Sequence, residues 1–259
     1  MGQPNRTVIV TGAGRGIGAA TARRLADQGD RVVVNYRSDS EAANAVVDKI
    51  RAAGGVAHAI AADVTDPEHV SRLVAATIDR YGAIDAVVFN ANAAQPSFTG
   101  IDELEWASFE KKLVGELSAV YHLTQQVLPV LRAQASGSIV YISSTAADYV
   151  SPGLVSHGTA KAALTTYASH VAAHAAQFGV TVITVAPGAV LTEASAAVLT
   201  QDRRESLARS SILGRVTEPD DVARVVALAL DPALKIAPGT ILRADGGARL
   251  ISGGPTAPR

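Results

Sequence analysis

Short runs rich in valine and isoleucine alternate along this chain with longer alanine-rich stretches, and that alternation constrains the fold more than any other feature. The runs fall at Thr7–Val10, Val32–Asn35, Val56–Ala61, Ile84–Phe89, Ser138–Ile142, Val180–Val185 and Thr240–Arg243. Each has the length and near-continuous apolar character of a strand buried on both faces. Between them lie Gly16–Gln28, Ser40–Ala53, Pro67–Tyr81, Leu104–Ala133, Ser156–Phe178 and Pro219–Leu230, which carry helical spacing. Strand followed repeatedly by helix implies right-handed crossovers. The expectation is an α/β fold with a doubly wound, mostly parallel sheet and helices on both faces. Such a sheet binds its ligand beyond the carboxyl ends of its strands, where the winding reverses, so the loops after strands are where chemistry belongs.

A length of 259 residues suits one α/β domain, and 48% hydrophobic against 18% charged residues supplies a core for both faces. The net charge of −1, with both signs interspersed, offers no basic stripe for nucleic acid and no polybasic patch for a membrane. No cysteine is present, which excludes disulfides, thiolate metal sites and a cysteine nucleophile. No basic, then apolar leader precedes the first strand run, and no eighteen apolar residues run unbroken. These features fit a cytoplasmic protein. Residues 1–250 are expected to form the domain, and the Gly- and Pro-containing segment 251–259 a frayed tail.

The first strand run ends in Thr11-Gly12-Ala13-Gly14-Arg15-Gly16-Ile17-Gly18 and feeds a helix. Glycines at that turn let the backbone approach a pyrophosphate, and the helix N-terminus favours the anion. This motif resembles the glycine motif of the short-chain dehydrogenase/reductase family. Later landmarks agree in order and spacing: Asp63 in AADVTD, at the residue the family places on the adenine ring; Pro187-Gly188 followed by Thr192, on the nicotinamide side; Gly214-Arg215 with Glu218-Pro219; and Asp245-Gly246-Gly247. The family's NNAG appears as Phe89-Asn90-Ala91-Asn92, which keeps one Asn, Asn90, and loses the Gly. The likeness runs from about Arg6 to Arg249. It implies a seven-stranded Rossmann-like sheet with three helices on each face, a bound nicotinamide dinucleotide contacted by Gly12, Arg15, Gly16, Ile17 and Gly18, and a homotetramer or dimer.

The choice between NAD and NADP depends on charge at the end of the second strand, where an acid would bond the ribose hydroxyls and repel a 2′-phosphate. The sequence there reads Asn35-Tyr36-Arg37-Ser38. Arg37 with Arg15 suits a 2′-phosphate, so NADP(H) is expected ahead of NAD(H).

At the chemical end the resemblance implies a Tyr in YxxxK, a Ser thirteen residues upstream and an Asn on the long helix. Ser144 matches the Ser and Lys161 the Lys, which also holds the nicotinamide ribose. The Tyr position holds His157, in His157-Gly158-Thr159-Ala160-Lys161, and Glu116 falls where the Asn is expected. Three readings of His157 stay open. Imidazole replaces phenol as proton donor in ketone/secondary alcohol interconversion, with Lys161 lowering its pKa and Glu116 pairing with Lys161 or orienting the ring. Alternatively, His157 and Glu116 run a non-redox isomerisation, dehydration, epimerisation or cyclisation. In the third, the site is silent and the protein is a cofactor-binding partner.

His170 and His174 have the spacing of a metal pair but no third ligand, and no metal is expected. The run Asp102-Glu103-Leu104-Glu105 reads as the acidic first turn of a helix. Residues 191–213 fall where the family carries a mobile lid. Their Ala, Val and Leu content, with Tyr149 and Phe98 nearby, suggests an apolar wall and a moderately hydrophobic carbonyl substrate; Trp106 suits either that wall or the core.

Overall fold

A computed structural model describes residues 6–150, 152–196 and 199–250. The tail at 251–259 lies outside the described residues. Seven strands form one all-parallel sheet in the order β3-β2-β1-β4-β5-β6-β7. They are β1 Thr7–Val10, β2 Arg31–Tyr36, β3 Val56–Ala61, β4 Ala86–Phe89, β5 Gly137–Ile142, β6 Val180–Pro187 and β7 Ile241–Ala244. The winding reverses between β1 and β4, so the crevice opens beyond Val10 and Phe89.

Alternation along the central strands builds two core layers. Val8, Val10, Val88 and Val140 face the layer of α1 (Gly16–Asp27), α2 (Ser40–Ala52) and α8 (Pro219–Ala229). Ile9, Val87, Phe89 and Ile139 face the layer of α3 (Pro67–Tyr81), α4 (Trp106–Ala133) and α5 (Val155–Ala175). The sheet with three helices on each face is the architecture the sequence implied. Two short helices, α6 (Glu193–Ala196) and α7 (Gln201–Arg209), lie between β6 and α8 in the segment expected to form a lid.

Three expectations need correction. β3 and β7 are the outer strands of the sheet, and they are only partly buried, because each has a neighbour on one side alone. The acidic run does not form a first turn: Glu105 is the N-cap of α4, and Asp102 and Glu103 lie in the turn before it. Trp106 is no core residue; it is 68% exposed at the start of α4, against Phe109.

Candidate active site

The glycine loop is held from three directions. Gly12 adopts φ +61° and a side chain there would meet Ala91 Cα at 2.9 Å, so the loop fits against the strand-end of β4 only with glycine. At Gly18 an added Cβ would lie 2.5 Å from the Gly12 carbonyl and the Asn90 amide. Asn90 donates from Nδ2 to the carbonyls of Thr11 (2.9 Å) and Gly12 (3.2 Å), so its side chain braces the loop. Asn35, buried at the end of β2, donates to the carbonyls of Ile60 and Ala62, accepts from the Gly12 N–H and joins β3 to the loop. Arg15 is the N-cap of α1 and supplies no side-chain cap, so the first-turn N–H groups stay available for an anion. Such a cradle, which any Cβ would fill, fits a dinucleotide pyrophosphate.

Arg15, at the head of α1, and Arg37, just past β2, are both exposed, and Arg37 Nη1 reaches the Ala93 carbonyl at 3.4 Å. The nearest acid in sequence, Asp39, is occupied capping α2 through the Ala42 N–H. Asp63 lies just past β3 with one oxygen accepting from Thr65 N and Oγ1. On the other side, Thr192 lies 3.4 Å from where a Gly16 Cβ would stand, which closes the loop against the start of the lid. Thr192 and Ser195 bond each other reciprocally at the head of α6. Gly188, beyond β6, packs on Asp245.

The first turns of α5, which carry His157 and Lys161, dock on the end of β5 that leads into Ser144. Gly158 lets α5 approach the short 3-10 turn Thr145–Ala147 so closely that a Cβ would sit 2.7 Å from the Ala146 carbonyl. Lys161 donates to the Ile142 carbonyl at 2.8 Å, and Ser143 Oγ donates back to the Lys161 carbonyl at 3.2 Å. Ser144 follows directly and caps the 3-10 turn through Ala146 N. Ser156 ties α5 to the loop after β4 through the Ser97 carbonyl.

Behind this surface stands a buried charge group. Glu116 Oε1 accepts from Lys161 Nζ at 2.6 Å and Oε2 from Lys112 Nζ at 2.5 Å, and Lys112 also donates to Asn92 Oδ1 at 2.6 Å. Burial by itself opposes ionisation of Glu116, but the two ammonium groups outweigh it and hold the carboxyl down at about 2. Burial also pushes Lys112 below the ordinary lysine value, against the attraction of Glu116. The His157 imidazole is lowered to about 4, by burial first and then by Lys161 and Lys112, with Glu116 opposing. Its Nδ1 is buried with no hydrogen-bond partner. The imidazole is therefore neutral at physiological pH. Glu116 is thus held as an anion, with each of its oxygens accepting from a lysine.

A cavity of about 350 Å³ begins at Thr145, next to Ser144, and runs past Gly188 to Asp245, with Leu207, Ser210 and Ser211 of segment 191–213 along it. Tyr149 lines it, as a substrate-loop aromatic would. The wall is mixed rather than apolar: Leu207 and Val216 stand beside the hydroxyls of Ser210, Ser211 and Thr217 and the charged Arg215 and Asp245. Segment 191–213 is anchored near both ends, by the Val190–Thr217 bridge and by Ile212 N donating to the Gly246 carbonyl. Among the described residues no cluster of three or more His, Asp or Glu stands at metal-ligating range.

A family model described as enoyl-(acyl carrier protein) reductase matches residues 12–249. A 3-oxoacyl-(acyl-carrier-protein) reductase of Synechocystis sp. is 36% identical over 244 residues, covering 93% of this chain and 96% of that protein. One from Staphylococcus epidermidis is 30% identical over 244 residues, covering 94% and 98%. The solved structure of a 7α-hydroxysteroid dehydrogenase complexed with NADH and 7-oxo glycochenodeoxycholic acid has a TM-score of 0.88 at 31% identity, covering 93% of each chain. The chain belongs to the short-chain dehydrogenase/reductase family.

Within this oxidoreductase family, the present chain holds two site residues that the sequence did not single out. Asn35 carried no signal beyond its place at a strand end. Lys112 did carry one: with Glu116, Ala119, Leu123 and Val127 it falls on the single buried stripe of α4, where an unpaired lysine is untenable. No described helix is long and apolar enough to cross a membrane.

Proposed function

We propose that the protein is an NADP(H)-preferring oxidoreductase that interconverts a ketone and a secondary alcohol, with His157 as the proton-transferring group. The observation that carries this reading is the convergence of the glycine loop, Ser144, His157 and Lys161 at the carboxyl end of one parallel sheet. The exposed Arg15 and Arg37, with Asp39 occupied at the cap of α2, support a 2′-phosphate over a bare ribose. Bound nicotinamide supplies or accepts the hydride.

Lys161, fixed by Glu116 and the Ile142 carbonyl, orients the ribose. Ser144 Oγ bonds the substrate oxygen. The neutral His157 accepts the alcohol proton in the oxidative direction and returns it in the reductive one. The relatives' names describe ketone chemistry on 3-oxoacyl and 7-oxo steroid frames, which fits a moderately hydrophobic carbonyl entering the cavity beside Thr145.

Single-turnover oxidation of NADPH against a panel of ketones tests the reading, with wild type and His157→Ala side by side. Turnover is expected in the wild type and a loss of about 100-fold or more in the variant. Silence from a wild type that binds NADPH tightly would overturn it and leave non-redox chemistry at His157.

A further inference from the structure

The two lysines and one carboxylate behind His157 do not balance. Lys112 and Glu116 lie one helical turn apart on α4, and Lys161 meets them from α5. Lys112 is fully buried, and Glu116 is 1% exposed. A lysine sealed in this way is costly unless something holds it, and Asn92 together with Glu116 does so. For the sole purpose of neutralising Lys161, Glu116 would suffice; the second ammonium leaves one positive charge uncompensated in the wall of the site.

We propose that Lys112 is a positioning residue for proton transfer at His157: it fixes Glu116 as an anion shared between two ammonium groups and makes the wall behind the imidazole net positive. The proposal rests on His157 as the proton-transferring group and adds a residue that, beside burial and Lys161, shifts its titration. The charges that act on the ring are Lys161, one helical turn further along α5, and, joined to it through the ion pairs, Glu116 and Lys112 from α4. Its partnerless Nδ1 receives no hydrogen bond that would compete with this field. A net positive wall keeps the resting imidazole unprotonated, and so free to accept a proton, and it favours an alkoxide on the substrate, while it raises the cost of the imidazolium that the transfer forms. In that direction the O–H bond of the alcohol breaks, its proton passes to a ring nitrogen of His157, and the hydride on the same carbon passes to the oxidised nicotinamide.

The test is the titration of the His157 ring followed by NMR, with its resonance assigned by its loss in His157→Asn, in wild type, Lys112→Met and Lys112→Arg. This readout needs no turnover, so it stands apart from the test of redox activity. In Lys112→Met, Glu116 and Lys161 remain as a neutral pair, and the midpoint is expected to rise by about one pH unit or more. Lys112→Arg should keep it near the wild-type value. An unchanged midpoint in folded Lys112→Met overturns the proposal. If that variant does not fold, Glu116→Gln serves instead: its midpoint must fall below the wild type's, and a midpoint that stays or rises equally overturns it. Where a ketone is turned over, the acid limb of the pH profile should move with the NMR midpoint.

Discussion

At Glu116 and His157 the same two lysines act with opposite sign. They favour the carboxylate anion, so Glu116 contributes stability that is present above its ordinary value of 4.5 and lost as pH falls toward about 2. Together with burial, which is the larger cause, they disfavour the imidazolium, so between 6.5 and about 4 the unfolded chain takes up a proton at His157 that the folded chain refuses. Stability therefore declines on acidification through that window. Urea midpoints measured between pH 7 and 4.5 should fall more steeply for wild type than for His157→Asn, and identical slopes would contradict the burial of the ring. The sequence placed His157, Ser144 and Lys161 at the site because the HGTAK segment and its upstream serine keep their spacing. It did not show the clamp on Glu116, since that clamp joins residues 45 positions apart from two helices.

At the scale of elements, the glycine loop and α1 form one device. Gly18→Ala would thrust a methyl group at the Gly12 carbonyl and the Asn90 amide, both 2.5 Å away, and backbone cannot yield as a flexible side chain does. The first turn of α1 should shift, weakening NADPH binding at least about tenfold by fluorescence titration with little change in the far-ultraviolet circular dichroism spectrum. Full affinity in the variant would show that the loop does not form the phosphate cradle. Elements with chemical end signals were the most legible. The bounds of α3 came directly from the sequence, because Asp66 caps it, Pro67 opens it and left-handed Gly82 closes it. β3 and β7 were read as buried on both faces, because the composition of a strand does not report which of its sides has a neighbour.

At the scale of the whole molecule, the described residues form two helical layers on one sheet, and the proposed cofactor groove lies where the winding reverses between β1 and β4. A ligand held across that groove should stabilise the fold as a unit. Saturation to 100 times its Kd gives about 2.7 kcal/mol. At equal concentrations NADPH is expected to raise the thermal midpoint more than NADH does, and the reverse order would sink the reading of Arg15 and Arg37 as a 2′-phosphate grip.

The sequence by itself determined the strand–helix alternation, the parallel sheet it entails and the glycine turn, because each of these is written in residues close together along the chain. Its motifs also determined the family. The tertiary structure decided which strands form the edges, where Trp106 lies, that the cavity wall is mixed and that Glu116 is locked between two lysines. Those properties depend on neighbours brought together from distant parts of the chain. Burial and charge at a site are sums over such neighbours, and no local pattern carries the sum.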